Sequence, residues 1–118
     1  MLKMQWGIIM RFTKMHGAGN DYIYIDCFIE NVQNPEDLSK ILSEKHFSIG
    51  ADGIVLIKPS PIADCFMDIY NADGSRAKMC GNAIRCVAKY IYDNKFQKRV
   101  IKIDTLSGIK LVEIYTEN

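Results

Sequence analysis

The sequence predicts an α+β domain in which strands surround one largely buried helix. Two kinds of apolar pattern support this prediction. Short stretches that alternate between apolar and polar residues, or are almost wholly apolar, indicate strands at 22–26, 54–57, 65–70, 100–105 and 109–114. The segment 80–93 instead has apolar residues at helical spacing on most of its sides, which is typical of a helix buried on most of its sides.

Composition limits the classes of partner. The 118 residues carry 15 basic and 14 acidic side chains, for a net charge of +1. Such a balance gives no electrostatic footprint for nucleic acid or for an anionic membrane. The sequence shows no membrane-length apolar run and no secretory signal. We therefore expect one cytoplasmic domain with no nucleic-acid or membrane partner.

The four cysteines separate into two groups. Cys27, Cys65, Cys80 and Cys86 contain no Cys-x-x-Cys spacing, so a zinc or redox site is not expected, and no metal is assigned. We expect Cys27, Cys65 and Cys86 to be small buried apolar residues, as free cysteines usually are. Cys80 differs because it lies where the second predicted helix starts.

Two asparagines mark predicted helix boundaries. Asn34 precedes Pro35 and two acidic residues, which is a strong helix start, and the apolar residues that follow share one face. We expect an amphipathic surface helix there, without a chemical role. Asn94 is one of the few residue types that tolerates a left-handed backbone, so we expect it to end the second helix.

The most informative stretch is 71–86, with the sequence NADGSRAKMCGNAIRC. Asp73-Gly74 is a hairpin signal, because both residue types tolerate the positive φ of tight turns. After Met79 the apolar spacing becomes helical, so the helix begins at or near Cys80.

This placement gives Cys80 a chemical setting. The first N–H groups of a helix lack intrahelical partners and form its positive end, which stabilises a thiolate. Gly81 has no side chain, so an anionic group can approach these N–H groups closely. The candidate set is therefore Cys80 as nucleophile or base, the N–H groups of Gly81 and Asn82 as an anion cradle, and the Asn82 side-chain amide.

Two further stretches are rich in glycine: KMHGAGNDY at 14–22 and HFSIGADG at 46–53. The first predicts either a plain turn between strands or a loop whose backbone lies against a ligand, with the Asn20 amide offering an acceptor and donors. Asn71, taken alone, is likewise only the first residue of a turn. We expect Asp52 to bond backbone groups nearby.

Together these three stretches resemble the N-terminal half of diaminopimelate epimerase, in the order and spacing of that family. The resemblance runs from about Met10 to the end of the chain. It implies a mixed, mainly antiparallel sheet wrapped around a central helix, as one of two pseudo-symmetric domains. It also implies the interconversion of LL- and meso-diaminopimelate in lysine and peptidoglycan-precursor biosynthesis, without pyridoxal phosphate or another cofactor.

The resemblance assigns roles to particular residues. Two cysteines on opposite faces of the α-carbon exchange its proton in this family, and Cys80 matches the first. Asn20, Asn71, Gly81 and Asn82 match substrate-binding positions. Some members carry a substrate-contacting Gln where this chain has Gly53, so that contact is not assigned.

The resemblance also defines the expected domain. We expect residues 10–118 to form a single N-terminal epimerase-like domain, with 1–9 as a dispensable or disordered leader or an addition to an edge strand. The second cysteine and the groups that hold the distal end of the substrate belong to the family's C-terminal half, which we expect this truncated chain to lack. It is then inactive alone, and forms a homodimer or associates with a C-terminal half.

Three other interpretations remain open from the sequence. One is another cofactor-independent racemase or isomerase of the same fold, such as a proline racemase. The second is a non-catalytic interaction domain in which Cys80 is unreactive. The third is an α+β domain in which this cysteine is structural.

Overall fold

The computed structural model describes residues 2–3, 9–10, 13–17, 20–44 and 51–115. Its strands are β1 (Leu2–Lys3), β2 (Ile9–Met10), β3 (Thr13–Gly17), β4 (Asn20–Asp26), β5 (Gly53–Lys58), β6 (Cys65–Asn71), β7 (Arg76–Ala77), β8 (Val100–Thr105) and β9 (Gly108–Glu113). Its helices are α1 (Pro35–Ser43) and α2 (Gly81–Asn94). Within this part of the chain, neither helix has the length and apolar character needed to cross a membrane.

Seven of these strands form one mixed sheet. Its order is β3-β4-β5-β6-β8-β9, and the short β7 pairs with β6. The β4–β5 and β6–β8 pairs are parallel, whereas the remaining pairs are antiparallel. The predicted α+β class with a mainly antiparallel mixed sheet is confirmed. β1 and β2 pair only with each other, in a separate two-stranded sheet.

The two helices cover opposite faces of the sheet. Because side chains alternate along a strand, each central strand supplies both faces. Tyr24 and Val55 belong to the cluster that packs on α2, whereas Ile25 and Leu56 belong to the cluster that packs on α1. The predicted site residue Cys80 therefore lies on the face that α2 covers.

The amphipathic division of α2 follows its sequence. Its fully buried side chains are Ala83, Ile84, Val87, Ala88 and Ile91. The charged residues Arg85, Lys89 and Asp93 form an exposed stripe on the opposite side. Tyr90 and Tyr92 are only half-buried, so the buried face is narrower than the apolar pattern suggested.

One predicted helix boundary is confirmed and another is wrong. α1 begins at Pro35 directly after Asn34, whose side-chain amide donates to Asp37 Oδ2 at 2.8 Å. α2, in contrast, includes Asn94, and that amide donates to the Tyr90 carbonyl at 3.0 Å. The C-cap of α2 is Lys95, because its N–H still bonds to the Ile91 carbonyl in the last turn. Its φ of −127° is not left-handed.

Candidate functional site

The glycine-rich stretches and the cysteine stretch meet at one edge of the sheet. β3 ends and β4 begins where Gly17 pairs with Asn20. One step further along, Gly53 at the start of β5 lies between Tyr22 on one side and Asn71 on the other. Topology therefore brings together segments that are far apart in sequence, as the resemblance implies. Residues 45–50, including most of the 46–53 stretch, lie outside the described residues.

Asp52 ties the three segments together through backbone bonds. Its N–H donates to the Asp21 carbonyl at 2.7 Å, and its carbonyl accepts from the Ala72 N–H at 2.9 Å. Its carboxylate Oδ2 accepts from the Asp21 N–H at 2.7 Å. Asp52 thus bonds backbone groups, but the expected local bond is not what its carboxylate makes, since the Asp21 N–H lies 31 positions away in sequence.

Gly53 lies where the chain leaves no room for a side chain. An added Cβ would collide with the Tyr70 carbonyl oxygen and would lie 3.0 Å from the Asn71 Cα. This close approach of β5 to β6 explains the glycine. A side-chain contact with a ligand from this position is therefore excluded in this structure.

Cys80 occupies the N-cap of α2. Its backbone is extended, with φ −144° and ψ 119°, and its carbonyl accepts the first helical bond from the Ile84 N–H at 3.0 Å. The residue is half-buried, packs against the α2 cluster and precedes the helix rather than lying within it. The predicted helix start is confirmed.

The first turn of α2 is open beside this sulfur. Gly81 is exposed, and an added Cβ there would meet no atom within 4 Å among the described residues. Asn82 follows in a half-buried position. The amides of a first helical turn have no carbonyl of their own helix to donate to, so this end suits a carboxylate.

Tyr22 is a site residue that the sequence analysis missed. Its buried ring lies on the α2 face of β4, in the cluster against which Cys80 packs, and its hydroxyl interacts with the Cys80 side chain. Burial, and then the neighbouring Cys80, raise the pKa of Tyr22 to about 12. The phenol is therefore protonated at neutral pH and can donate to a thiolate.

A second tyrosine-cysteine pair lies deeper on the same face. Tyr24, two residues along β4, pairs with Cys86 on α2, and burial followed by this contact raises the pKa of Tyr24. The two tyrosine rings meet edge to face, with centroids 6.4 Å apart. The alternation of Tyr22 and Tyr24 along the strand indicated a shared face, but not which cysteine each would contact.

The two asparagines predicted to bind substrate have different outcomes. The Asn71 side-chain amide donates to Ser75 Oγ at 3.1 Å, within a turn that Gly74 completes at φ +88°. The turn interpretation thus accounts for its observed bonds, and a substrate contact from Asn71 stays a prediction. The Asn20 side chain lies outside the part of the chain that the structure describes.

The remaining cysteines lie in the packed interior or at its boundary. Cys65 is fully buried, and burial raises its pKa to about 12. Cys27 is half-buried, and burial is the main cause that raises its pKa to about 11. Cys86 is also half-buried. Among the described residues, no group of His, Cys, Asp or Glu is arranged to hold a metal ion.

A groove of about 310 Å³ lies away from this site, between α2 and β9. Its lining includes Arg85, Lys89 and Tyr92, but not Cys80 or its two successors.

Comparison with known proteins agrees with this geometry. The family model described as diaminopimelate epimerase matches residues 12–118. The chain is 56% identical over 110 residues to a diaminopimelate epimerase of Methanococcus maripaludis, covering 92% of this chain and 40% of that protein. The corresponding protein of Acetivibrio thermocellus is also 56% identical over 110 residues, covering 92% of this chain and 39% of the relative. The chain thus spans about 40% of the length of these relatives.

Solved structures share the fold at low sequence identity. A phenazine biosynthesis protein of the PhzF family from Bacillus anthracis has a TM-score of 0.66 at 15% identity, covering 90% of this chain and 35% of that one. A probable proline racemase from Agrobacterium radiobacter has a TM-score of 0.63 at 18% identity, covering 83% of this chain and 35% of that one. The sequence relatives and the matching family model, rather than these fold neighbours, decide the assignment: the chain belongs to the diaminopimelate epimerase family.

Proposed function

We propose that the Cys80 end of α2 is one half of an active site that interconverts LL- and meso-diaminopimelate. The observation that carries this proposal is the placement of Cys80 at the N-cap, beside the exposed Gly81, in a chain of this family. The convergence of the three motif segments at the same sheet edge supports it. A small-molecule amino acid is then the partner.

In this proposal the carboxylate of the substrate binds at the N–H groups of Gly81 and Asn82. The α-carbon then lies near the Cys80 sulfur. The thiolate removes the α-proton and becomes a thiol, while the electron pair of the broken C–H bond delocalises into the carboxylate. The positive end of α2 stabilises this added charge, and the protonated Tyr22 hydroxyl donates to the thiolate. Asn20 and Asn71 are proposed to orient the substrate.

Inversion also requires an acid on the opposite face of the α-carbon. Cys65 is enclosed in the core, and Cys27 packs with the α1 face rather than the α2 face. Cys86 contacts Tyr24 more than a helical turn from the first amides of α2. We therefore propose that the second proton donor comes from a C-terminal half or from a second copy of the chain, and that the 118 residues alone do not epimerise.

Two measurements test the proposal. In D₂O, the purified chain with LL-diaminopimelate should form no meso isomer. Deuterium should therefore not appear at an α-carbon of inverted configuration. Robust turnover by the chain would contradict its proposed inactivity without a C-terminal half and would mean that a second copy supplies the donor. Alkylation of Cys80 by iodoacetamide, followed by peptide mass spectrometry, should be slowed by diaminopimelate and not by proline.

Cys86 is the internal control for the alkylation experiment. It lies on the same helix but contacts Tyr24, so its alkylation should not respond to diaminopimelate. Equal Cys80 alkylation with and without diaminopimelate would favour the non-catalytic interaction domain instead.

Domain limits and location are part of the same proposal. The family match starts at residue 12 and the large sheet starts with Thr13 of β3, which supports a catalytic domain within the proposed bounds of 10–118. All four cysteines, each within the described residues, are free thiols, which suits the reducing cytoplasm.

A further inference from the structure

Asp68 is a fully buried carboxylate on the face of β6 opposite to α2. Three side chains contact it. Lys58 Nζ lies 2.7 Å from Oδ2, Arg76 Nε lies 2.7 Å from Oδ1, and the Tyr70 hydroxyl donates to Oδ2 at 3.1 Å. A buried charge is tolerated when it is paired in this way. These contacts join three strands, since Lys58 lies on β5, Tyr70 on β6 and Arg76 on β7.

β7 depends on this cluster more than the other strands do. It has two residues, and its register pairs Arg76 with Tyr70 and Ala77 with Ile69. So short a ladder supplies few backbone bonds of its own. The Arg76 guanidinium adds the ion pair with Asp68 and lies over the Tyr70 ring, 5.8 Å from its centroid.

Cys80 follows this strand after a short, exposed connection. Ala77 packs against the α2 cluster, while Arg76 is held on the opposite face. Lys78 and Met79 are both exposed. The last fixed point of the chain before the sulfur is therefore β7, and the side chain that fixes it is Arg76.

We propose that Arg76, through its ion pair with the buried Asp68, is a positioning residue for Cys80. It anchors β7 to β6 and thereby sets where the sulfur stands at the first turn of α2. Its relevance to catalysis rests on the proposed function, but the placement of the sulfur does not.

Lys58 provides a matched control. Its ammonium binds the same carboxylate at the same 2.7 Å, and its side chain is 36% exposed, against 44% for Arg76. In Lys58→Met or Arg76→Met, the other cation and the Tyr70 hydroxyl still bond to Asp68. The two variants should therefore lose similar stability, while only one loosens β7.

The experiment compares both variants with Arg76→Lys under conditions in which circular dichroism shows every protein folded. We expect Arg76→Met to reduce Cys80 alkylation at neutral pH several-fold, because the sulfur leaves its place at the first turn of α2. Amide hydrogen exchange over residues 77–82 should accelerate about tenfold, because the anchored strand opens locally. Lys58→Met should stay within twofold of the wild type in both measurements, and Arg76→Lys should recover most of the wild-type alkylation rate.

Equal effects of Lys58→Met and Arg76→Met, or a wild-type alkylation rate in Arg76→Met, would overturn the inference. If Arg76→Met does not fold, Arg76→Gln replaces it under the same criteria. Neither readout requires turnover. Failure here therefore leaves the epimerase proposal standing, and loss of diaminopimelate protection in the wild type leaves this inference standing.

Discussion

The two ends of α2 are built in opposite ways. At the C-terminal end, the buried Asp26 accepts hydrogen bonds from the Tyr90 hydroxyl at 2.8 Å and the Phe28 N–H at 2.9 Å, and its Oδ2 lies 2.8 Å from Lys95 Nζ. The Lys95 ammonium also lies over the Phe28 ring, 4.9 Å from its centroid. At the N-terminal end, Cys80 is half-buried and Gly81 is exposed.

This difference shows how a helix can offer its first turn to a ligand. A helix end without tertiary contacts frays, because its last groups have few bonds to lose. The Asp26 cluster fixes one end of α2 to β4, and the buried apolar face fixes its middle to the sheet. The amides and sulfur at the other end can then stay accessible without the helix losing its place.

The largest expected effect comes from removing the anchor. Asp26→Ala leaves the Lys95 ammonium and the Tyr90 hydroxyl without their acceptor, and we expect a loss of about 3 kcal/mol in the free energy of unfolding, measured in urea. The control is Asp93→Ala, which removes an exposed carboxylate from the same end of the helix and should change stability far less. Equal losses in the two variants would show that Asp26 is not the anchor.

Acid should weaken the same anchor. Burial alone would raise the pKa of Asp26, but the hydrogen bonds from Lys95 and Tyr90 outweigh it and hold this pKa below its ordinary value of 3.8. A carboxyl with a lowered folded-state pKa contributes stability above its unfolded pKa, and this stability is lost as pH falls through the folded pKa. The stability difference between wild type and Asp26→Asn should therefore shrink below pH 3.8. A difference that stays constant in urea titrations down to about pH 2.5 would contradict this linkage.

Two tyrosine hydroxyls allow the two ends of α2 to be tested separately. The Tyr90 hydroxyl binds Asp26 at the C-terminal end, and the Tyr22 hydroxyl lies by Cys80 at the N-terminal end. Tyr90→Phe removes one donor to Asp26 and should cost about 1.5 kcal/mol of stability, because the bond is to a charged group. Tyr90→Phe should change the rate of Cys80 alkylation by less than twofold. Tyr22→Phe should cost about 0.5 kcal/mol, but should slow Cys80 alkylation several-fold because the thiolate loses a donor. Tyr24→Phe is the control on the same strand, and equal alkylation in all three variants would remove Tyr22 from the site.

Local patterns were enough to predict much of this architecture. Alternation and helical spacing predicted the main strands, the hairpin around Asp73-Gly74 and the start of α2 at Cys80. These features depend on residues within a few positions of one another. The resemblance to a family added what periodicity does not contain, namely that the glycine-rich stretches lie at the same site as the cysteine.

The missed features depend on partners that are distant in sequence. Asp26 and Tyr90 are 64 residues apart, and no local pattern pairs them. The prediction of Asn94 as a left-handed cap was wrong because the Lys95 N–H continues the backbone bonding of α2, while the Lys95 ammonium pairs with Asp26. The contact of Tyr22 with Cys80 likewise depends on how α2 packs against β4, which no local pattern predicts. The position of the helix start at Cys80 was thus easier to predict than the cluster that holds the helix in place.

A small change in stability, of the opposite sign, is expected at the open end itself. Gly81 has ordinary negative-φ helical backbone and space around it, so Gly81→Ala should stabilise the protein by about 0.5 kcal/mol through a lower entropy of the unfolded chain. The added methyl group would nevertheless occupy the approach to the first amides, so diaminopimelate should protect Cys80 several-fold less. Gly108→Ala is the steric control, because its Cβ also meets open space, but its φ of +99° should make the substitution destabilising by about 1 kcal/mol. Full protection in a stabilised Gly81→Ala protein would mean that the carboxylate does not bind at this helix end, and the contrast between the two ends of α2 would then concern stability alone.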